Sequence, residues 1–251
     1  MTAVCRVCND PLELTMDPEE SGDESQTVPD DLELGCGCHY HWQCLLDQAS
    51  EVATSLKCPA CGTYLPVNQS GASSTNSFSP AGPILTRYTN EGGVQEDLDI
   101  LPVLTEEAFL AAHPEARPAR AMHTMASEGD VTGIVSLLAD VDTDEDVDST
   151  APQLLRWTDR LNGGRSALHV AIEANQEEVF WLLLWLGSGV KTDFFPQPVI
   201  QSASDLGLPR REVPLDEDIR FIADESGRVP AQIMAEMGAP WSRYVEGELF
   251  N

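Results

Sequence analysis

CGCHYHWQC, the stretch from Cys36 to Cys44, places three cysteines and two histidines within nine residues. Thiolate and imidazole donors at such short spacing select zinc, so the stretch is typical of a metal site. The remaining cysteines lie on either side of it, and none follows residue 61. The first 61 residues are therefore predicted to fold around metal.

Eight predicted ligands form four pairs along this segment. Three of the pairs have two residues between the ligands, a spacing at which both side chains of a tight turn reach one tetrahedral ion. Eight ligands make two closed four-ligand sites, so the two predicted Zn²⁺ ions are structural and offer no open position to a water nucleophile. The predicted ligands are Cys5, Cys8, Cys36, Cys38, His41, Cys44, Cys58 and Cys61.

The chain is strongly acidic. Its 251 residues include 42 acidic and 14 basic side chains, which gives a formal net charge of −28. A field of that sign repels phosphate backbones and anionic lipid, so neither a nucleic acid nor a membrane is expected as a partner. Seven cysteines without a signal-peptide pattern at residues 1–9 favour metal over disulfides and predict a cytoplasmic or nuclear protein. The most apolar run, Val179–Leu186, is too short to span a bilayer.

Helical patterns in pairs recur from residue 119 onward. Ala121–Leu138 aligns without a gap on Ala167–Leu184, and a weaker third copy starts at Asp224. The copies resemble ankyrin repeats, which stack at a period of about 33 residues. The resemblance implies an all-α solenoid with one continuous core and inserted loops that account for the longer spacing here. A helix near 105–113 and the tail after Trp241 are expected to cap the stack.

The first 66 residues resemble a RING finger, on the ligand order Cys-Cys-Cys-Cys-His-Cys-Cys-Cys. The resemblance implies a small α+β domain in which the first and third pairs hold one zinc and the second and fourth hold the other. Cys5, Cys8, His41 and Cys44 would then share one ion, and Cys36, Cys38, Cys58 and Cys61 the second. Metal binding of this kind contributes roughly 10–16 kcal/mol in small peptides, so it supplies most of the folding free energy.

RING fingers dock a ubiquitin-conjugating enzyme (E2) and perform no covalent chemistry, so no catalytic residue is predicted. The resemblance places Val7, Leu45, Leu46 and Pro59 in the docking groove. Two features depart from the family. The groove tryptophan is missing in Ser55–Lys57, and Gly62 occupies the place of a cation that clamps ubiquitin.

Three alternatives compete with this assignment. A PHD finger, which reads histone tails, has the same ligand order but more residues between the fourth ligand and the histidine. The membrane-associated RING variant also needs a longer gap there, together with transmembrane helices. A third alternative makes His39 the fourth ligand in place of Cys38, which would leave a free thiol beside a zinc ion.

Other residues suggest chemistry by type alone. His123 and His169 resemble a catalytic pair, but histidine at this position of an ankyrin repeat is structural. Trp181 and Trp185 are spaced i, i+4 and are expected to pack inside the stack. The acidic run Asp140–Asp148 lacks the glycine and final glutamate of a calcium-binding loop, so a solvated loop is predicted.

The predicted fold is a small two-zinc cross-brace α+β domain followed by an all-α ankyrin-repeat solenoid. The predicted domains are a RING-like zinc finger at 1–67, a partly extended linker at 68–104 and an ankyrin region of about three repeats at 105–251, with inserts near 140–152 and 192–220. The function hypothesis is a RING-type E3 ubiquitin-protein ligase that docks an E2 on the zinc module and a protein substrate on the repeats. The alternative is a non-catalytic zinc-finger and ankyrin adaptor between proteins.

Overall fold

The computed structural model describes residues 3–15, 27–67, 82–143, 149–245 and 248–250. Within these ranges the protein is mixed α/β, with three small sheets and eleven α-helices. The chain divides into two compact units, Met1–His113 and Pro114–Asn251. The division therefore falls just before Pro114, whereas the sequence placed a domain boundary at residue 105.

Short antiparallel strands form the framework of the first unit. They are β1 (Glu13–Thr15), β2 (Thr27–Pro29), β3 (Asp31–Leu34), β4 (His39–Tyr40), β5 (Leu85–Asn90) and β6 (Gly93–Asp99). β1 pairs with β2, and the other four form one sheet in the order β4-β3-β5-β6. Side chains alternate across a strand, and so Leu32 and Leu34 of β3 both point into the core and are fully buried.

Three helices complete the first unit: α1 (Trp42–Leu46), α2 (Ala49–Ser55) and α3 (Leu101–Ala112). α3 packs against α2, and its Leu101 and Leu104 are buried in the same core as Leu45 and Val52. This helix was predicted to begin near residue 105 and to cap the repeats. It instead begins at Leu101 and packs within the first unit, because its apolar face completes the core of that unit.

The segment predicted as a linker contributes a β-hairpin to the first unit. Residues 68–81 lie outside the described ranges, but β5 and β6 pair with each other and β5 also pairs with β3. Buried Asp30 accepts hydrogen bonds from the Tyr88 hydroxyl, at 3.0 Å, and from the Trp42 backbone N–H, at 3.2 Å. The rings of Trp42 and Tyr88 lie 4.9 Å apart. These contacts join the hairpin to the metal-binding segment.

The second unit is mainly helical. Its α-helices are α4 (Arg117–Glu128), α5 (Val131–Thr143), α6 (Ala151–Arg156), α7 (Ala167–Glu173), α8 (Glu177–Gly187), α9 (Gln197–Asp205), α10 (Pro230–Met237) and α11 (Ser242–Val245). β7 (Thr158–Asp159) and β8 (Arg165–Ser166) form a small hairpin, so the described part of this unit is not all-α. α4 packs on α7, and α7 packs on α10. Apolar residues of these helices form one continuous core.

Two equivalent turns precede α7 and α10. The Asp159 carboxylate accepts from the Leu161 N–H at 2.9 Å, and the Asp224 carboxylate accepts from the Ser226 N–H at the same distance. The Glu225 N–H also donates to the Gly163 carbonyl, at 2.9 Å. The two turns are thus joined directly by a backbone hydrogen bond.

The two predicted inserts differ in structure. The first lies between α5 and α6, and its residues 144–148 are outside the described ranges. The second contains α9 and Arg210, whose guanidinium donates to the carbonyls of Leu184 (3.3 Å), Trp185, Ser188 (2.5 Å) and Val190 (2.6 Å). Arg210 therefore satisfies carbonyls at and just beyond the C-terminus of α8, which have no partner within the helix. This second insert is an ordered part of the unit.

The tail beyond α10 packs on α8. Trp241 is fully buried, its ring lies 5.1 Å from that of Phe180, and its indole N–H donates to the Asn175 side chain at 3.1 Å. The Tyr244 hydroxyl donates to Glu177 at the start of α8. The tail thus covers one end of this helix.

Candidate metal centre

The first ligand cluster brings together Cys5, Cys8, His41 and Cys44, whose ligand atoms all lie within 4.8 Å of one another. Cys5 and Cys8 lie in a tight turn closed by a hydrogen bond from the Asn9 N–H to the Cys5 carbonyl, at 3.0 Å. His41 immediately precedes α1, and Cys44 is one turn further along. The helical spacing places these last two side chains on one face.

The second cluster brings together Cys36, Cys38, Cys58 and Cys61 within the same limit of 4.8 Å. Cys36 and Cys38 lie in the turn between β3 and β4, where Gly37 has a φ of +76° that favours glycine. Cys58 and Cys61 lie in a turn closed by a hydrogen bond from the Gly62 N–H to the Cys58 carbonyl, at 2.8 Å. Both pairs are therefore held by backbone geometry.

Ligand pairs alternate between the two clusters along the chain. The first and third pairs form one cluster, and the second and fourth form the other. Each cluster thus joins segments that are distant in sequence: Cys8 and His41 are 33 residues apart. Metal bound at both places would close two overlapping loops in a unit with a small core.

His41 is oriented to bind metal through Nδ1. Its Nε2–H donates to the Pro11 carbonyl at 2.8 Å, which leaves Nδ1 without a proton. Nδ1 lies 3.3 Å from the Cys8 sulfur and 3.8 Å from the Cys44 sulfur, so it faces the cluster. Histidine ligands usually donate their other ring N–H in this way, and the bond fixes the orientation of the imidazole.

The thiol pKa values are split within each cluster. Burial alone would raise the pKa of Cys5, but backbone N–H groups of Cys8 and His41 outweigh it and lower that pKa to about 7. Hydrogen bonds with the side chain and backbone of Thr63 lower the pKa of Cys61 to about 6.

Burial raises the pKa of Cys36 and of Cys44 to about 12. Several thiolates this close repel one another unless a cation neutralises them. Four-ligand sets of sulfur and imidazole select Zn²⁺, so the two clusters could hold two zinc ions.

His39 lies outside both clusters. Its Nδ1 is 2.8 Å from a carboxylate oxygen of Asp31, on the neighbouring strand. Cys38, by contrast, is grouped with the other three thiols of the second cluster. The geometry therefore favours Cys38 over His39 as a ligand.

The predicted docking residues differ in exposure. The Val7 side chain is 43% exposed, whereas Leu45 is 0% exposed and lies in the core of the first unit. Leu46 and Pro59 are half-buried. Leu45 is therefore unavailable for contact with a partner, because α1 turns that face inward, and Leu46 takes its place on the surface.

The other residues singled out by type have structural surroundings. His169 Nδ1 accepts from the Ser166 N–H at 3.1 Å, and Nε2 donates to the Arg228 carbonyl at 3.1 Å. His123 packs edge-on against the Trp157 ring at 4.9 Å. Of the predicted acidic loop 140–148, only residues up to Thr143 are described, and they end α5.

Tyr40 is a supporting residue that pattern reasoning missed. It is fully buried, and its hydroxyl lies 3.0 Å from the Cys58 sulfur and accepts from the Ala60 N–H at 3.2 Å. Burial raises the pKa of Tyr40, so the phenol stays protonated and can donate to a Cys58 thiolate. Its position one residue before His41 was the only available signal. An aromatic ring beside a ligand can serve packing alone, and the spacing of the cysteines does not indicate which atom the Tyr40 hydroxyl contacts.

Replacing Tyr40 with phenylalanine should weaken zinc binding at the second cluster by roughly 10–100-fold, the usual effect of losing an outer hydrogen bond to a ligand. The ring packing is retained, so only the hydroxyl is lost. Competition with a chromogenic chelator measures the zinc affinity of the two clusters. Tyr64→Phe is the matched control, because Tyr64 is 54% exposed. Equal affinities of Tyr40→Phe and wild type would contradict this role.

Comparisons of the chain with protein-family models, with curated proteins and with solved structures found no match. Among the described residues, no helix combines the length and the apolar character needed to cross a membrane.

Proposed function

We propose that this protein is a RING-type E3 ubiquitin-protein ligase. Its first unit would dock an E2 that carries ubiquitin, and its second unit would recruit a protein substrate. The observation that carries the proposal is the grouping of the ligands, first pair with third and second with fourth. This grouping is the one that the resemblance to RING fingers implies.

The surface around the clusters supports E2 docking. Val7 lies in the turn between the two ligands of the first pair and is exposed. Pro59 follows the seventh ligand, and Leu46 lies on α1 two residues after the sixth. These three are the surface residues at positions that match the family's docking groove. Leu45 would support α1 from beneath.

The second unit supports a role in protein recognition. The α4–α7–α10 contacts and the joined turns at Gly163 and Glu225 are those expected of stacked ankyrin-like repeats. Such stacks present extended surfaces to other proteins. A unit of this kind would choose the substrate.

Catalysis would come from positioning. Two bound zinc ions would supply folding free energy and fix the two ligand-bearing turns. Val7 and Pro59 would then hold the E2 so that its thioester meets a substrate lysine, which converts a bimolecular encounter into a local one. No side chain of this chain would form a covalent intermediate.

The substitution Val7→Glu should abolish ubiquitin discharge. The assay follows transfer from preloaded E2 to free lysine, with a panel of E2 enzymes and zinc-loaded protein. A charge buried at the docking surface removes the apolar contact and leaves an unpaired carboxylate. We expect discharge to fall to the level of E2 alone.

Val4→Glu is the matched control. The exposed fraction of Val4, 40%, is close to the 43% of Val7. Val4 belongs to the same loop but not to the predicted groove. It should keep wild-type discharge and zinc content. Equal loss in both variants would count against a specific docking surface. Wild-type protein that stimulates no E2 of the panel would exclude the ligase.

One observation favours the adaptor as a second candidate. Gly62 has a φ of +71°, a conformation that side chains other than glycine rarely adopt. The family's ubiquitin-clamping cation would be strained at this position. An adaptor predicts that the chain retains an E2 in a pull-down without accelerating discharge of its ubiquitin.

A further inference from the structure

An apolar groove runs along α8 in the second unit, with a volume of about 610 Å³. One wall is the α8 stripe Glu178, Trp181, Leu182 and Trp185, and the other includes residues of α9. This volume lies within the range of ligand-binding clefts, roughly 300–1,000 Å³. The groove exists because the second insert folds α9 beside α8.

The two walls have matching periodicity. On α8 the lining residues follow the i, i+3, i+4, i+7 pattern from Glu178 to Trp185. On the other wall Val199, Ser202 and Ala203 of α9 follow the same pattern together with Leu206, the residue that directly follows this helix. Each helix therefore turns one face to the shared space. The tryptophans of the α8 stripe are only 5–6% exposed and form the floor of this space, so a third helix would pack on the more exposed residues of its rim, such as Leu206.

The charge around the groove selects among occupants. Of the described residues that line it, the ionisable ones are Glu177 and Glu178, both acidic. Glu177 is paired with Arg243 at 2.5 Å, so Glu178 is the carboxylate available to a partner. A second copy of the chain would bring another 28 negative charges, which disfavours self-association. A basic partner is attracted by the same field.

We propose that this groove docks an amphipathic helix of a partner protein, with apolar side chains against Val199 and Leu206 above the tryptophan floor and Lys or Arg beside Glu178. The groove specifies the class of segment that the second unit would recruit, and it rests on the proposed function only where that partner is called a substrate. Binding can be tested without ubiquitin components. A failure here would leave the ligase proposal standing, and failure of the ligase assay would leave the groove.

Fluorescence anisotropy of labelled peptides on the zinc-loaded full chain tests the proposal. The probe is a helical peptide of about five turns, with leucines at i, i+3, i+4 and i+7 and lysines on the other faces. One control peptide has the same composition with the leucines dispersed, and a second has glutamate for lysine. We expect both controls to bind at least about tenfold more weakly.

Two variants locate the binding site. Leu206→Glu places a charge on the 41% exposed groove residue and should weaken the lysine peptide by about tenfold. Leu215→Glu is the matched control, because Leu215 is 73% exposed, lies outside the groove and gains the same charge. Both substitutions add one negative charge, so they would raise any general electrostatic attraction of the lysine peptide equally. Ser202→Trp places a ring at an exposed position that lines the groove and should also reduce binding, with circular dichroism as the check on folding.

Equal affinity of the Leu206→Glu and Leu215→Glu proteins for the peptide would overturn the proposal. Equal binding of the dispersed-leucine or glutamate peptide would do the same, since neither could use the apolar stripe and the acidic mouth together.

Discussion

Removal of zinc by a chelator should unfold the metal-binding part of the first unit and leave the second unit folded. The two clusters link residues 5–8 to 41–44 and residues 36–38 to 58–61. Structural zinc contributes roughly 10–16 kcal/mol, which is as large as the whole stability of a typical domain, roughly 5–15 kcal/mol. The second unit has a core of its own, and its described residues include no ligand cluster.

Hydrogen–deuterium exchange followed by mass spectrometry measures this outcome region by region. Amides of the ligand-bearing turns should lose protection on chelation, and those of α7 and α8 should keep it. Cys44→Ala should have the same effect on the first cluster. Gln43→Ala is the control, because its exposed side chain lies on the same helix. Unchanged protection of the turns after complete metal removal would show that the apolar core folds them without zinc.

Acidification should destabilise the second unit through His123. This side chain is 4% exposed, and neither ring nitrogen makes a well-formed hydrogen bond within the described part of the chain. Burial and, to a smaller extent, the nearby Arg120 charge together lower the pKa of His123 to about 4, and a weak contact with the Trp157 backbone opposes this shift in part. The folded protein thus keeps the ring neutral at a pH where the unfolded chain protonates it.

The direction in which stability changes with pH follows from proton binding. Between pH 6.5 and about 4 the unfolded state binds more protons than the folded state, so the free energy of unfolding falls as the pH falls. At 1.36 kcal/mol per pKa unit, the loss approaches about 3 kcal/mol at the lower end of this window. Above pH 6.5 this group leaves stability unchanged.

Urea unfolding of wild type and His123→Leu, at pH 7 and near pH 4.5, measures the effect. Leucine cannot titrate, so the variant should gain stability relative to wild type at the lower pH by about 2–3 kcal/mol. Zinc release in acid affects both proteins and cancels in the difference. A stability difference that does not change with pH would contradict the assignment.

Local patterns in the sequence predicted most of the candidate metal site. Cysteine spacing in tight turns identified the seven thiols and His41, because turn geometry brings residues two or three apart to one point. The grouping of the pairs came from the resemblance alone, and the distances in the structure agree with it. The hydroxyl of Tyr40 and the burial of Leu45 depend on neighbours that are distant in sequence.

Helical periodicity likewise indicated the pairs of helices in the second unit. The ankyrin stack itself stays a prediction. The hairpin at residues 85–99 was not predicted as part of the first unit. Its strand pattern is weak, since β6 is largely exposed, and its position depends on pairing with β3. The ordered insert with α9 was also missed, because Arg210 stabilises it through carbonyls more than 20 residues away in sequence.

The amino-acid sequence by itself determined which residues can bind metal, the acidic character of the chain and where paired helices begin. These properties depend on residue type and on short-range spacing. Only the tertiary structure decided that a distant hairpin and helix complete the core of the first unit, that Leu46 rather than Leu45 reaches the surface, and that α8 and α9 enclose a groove. These features arise from packing between segments far apart in the chain, and no local pattern records which segments meet.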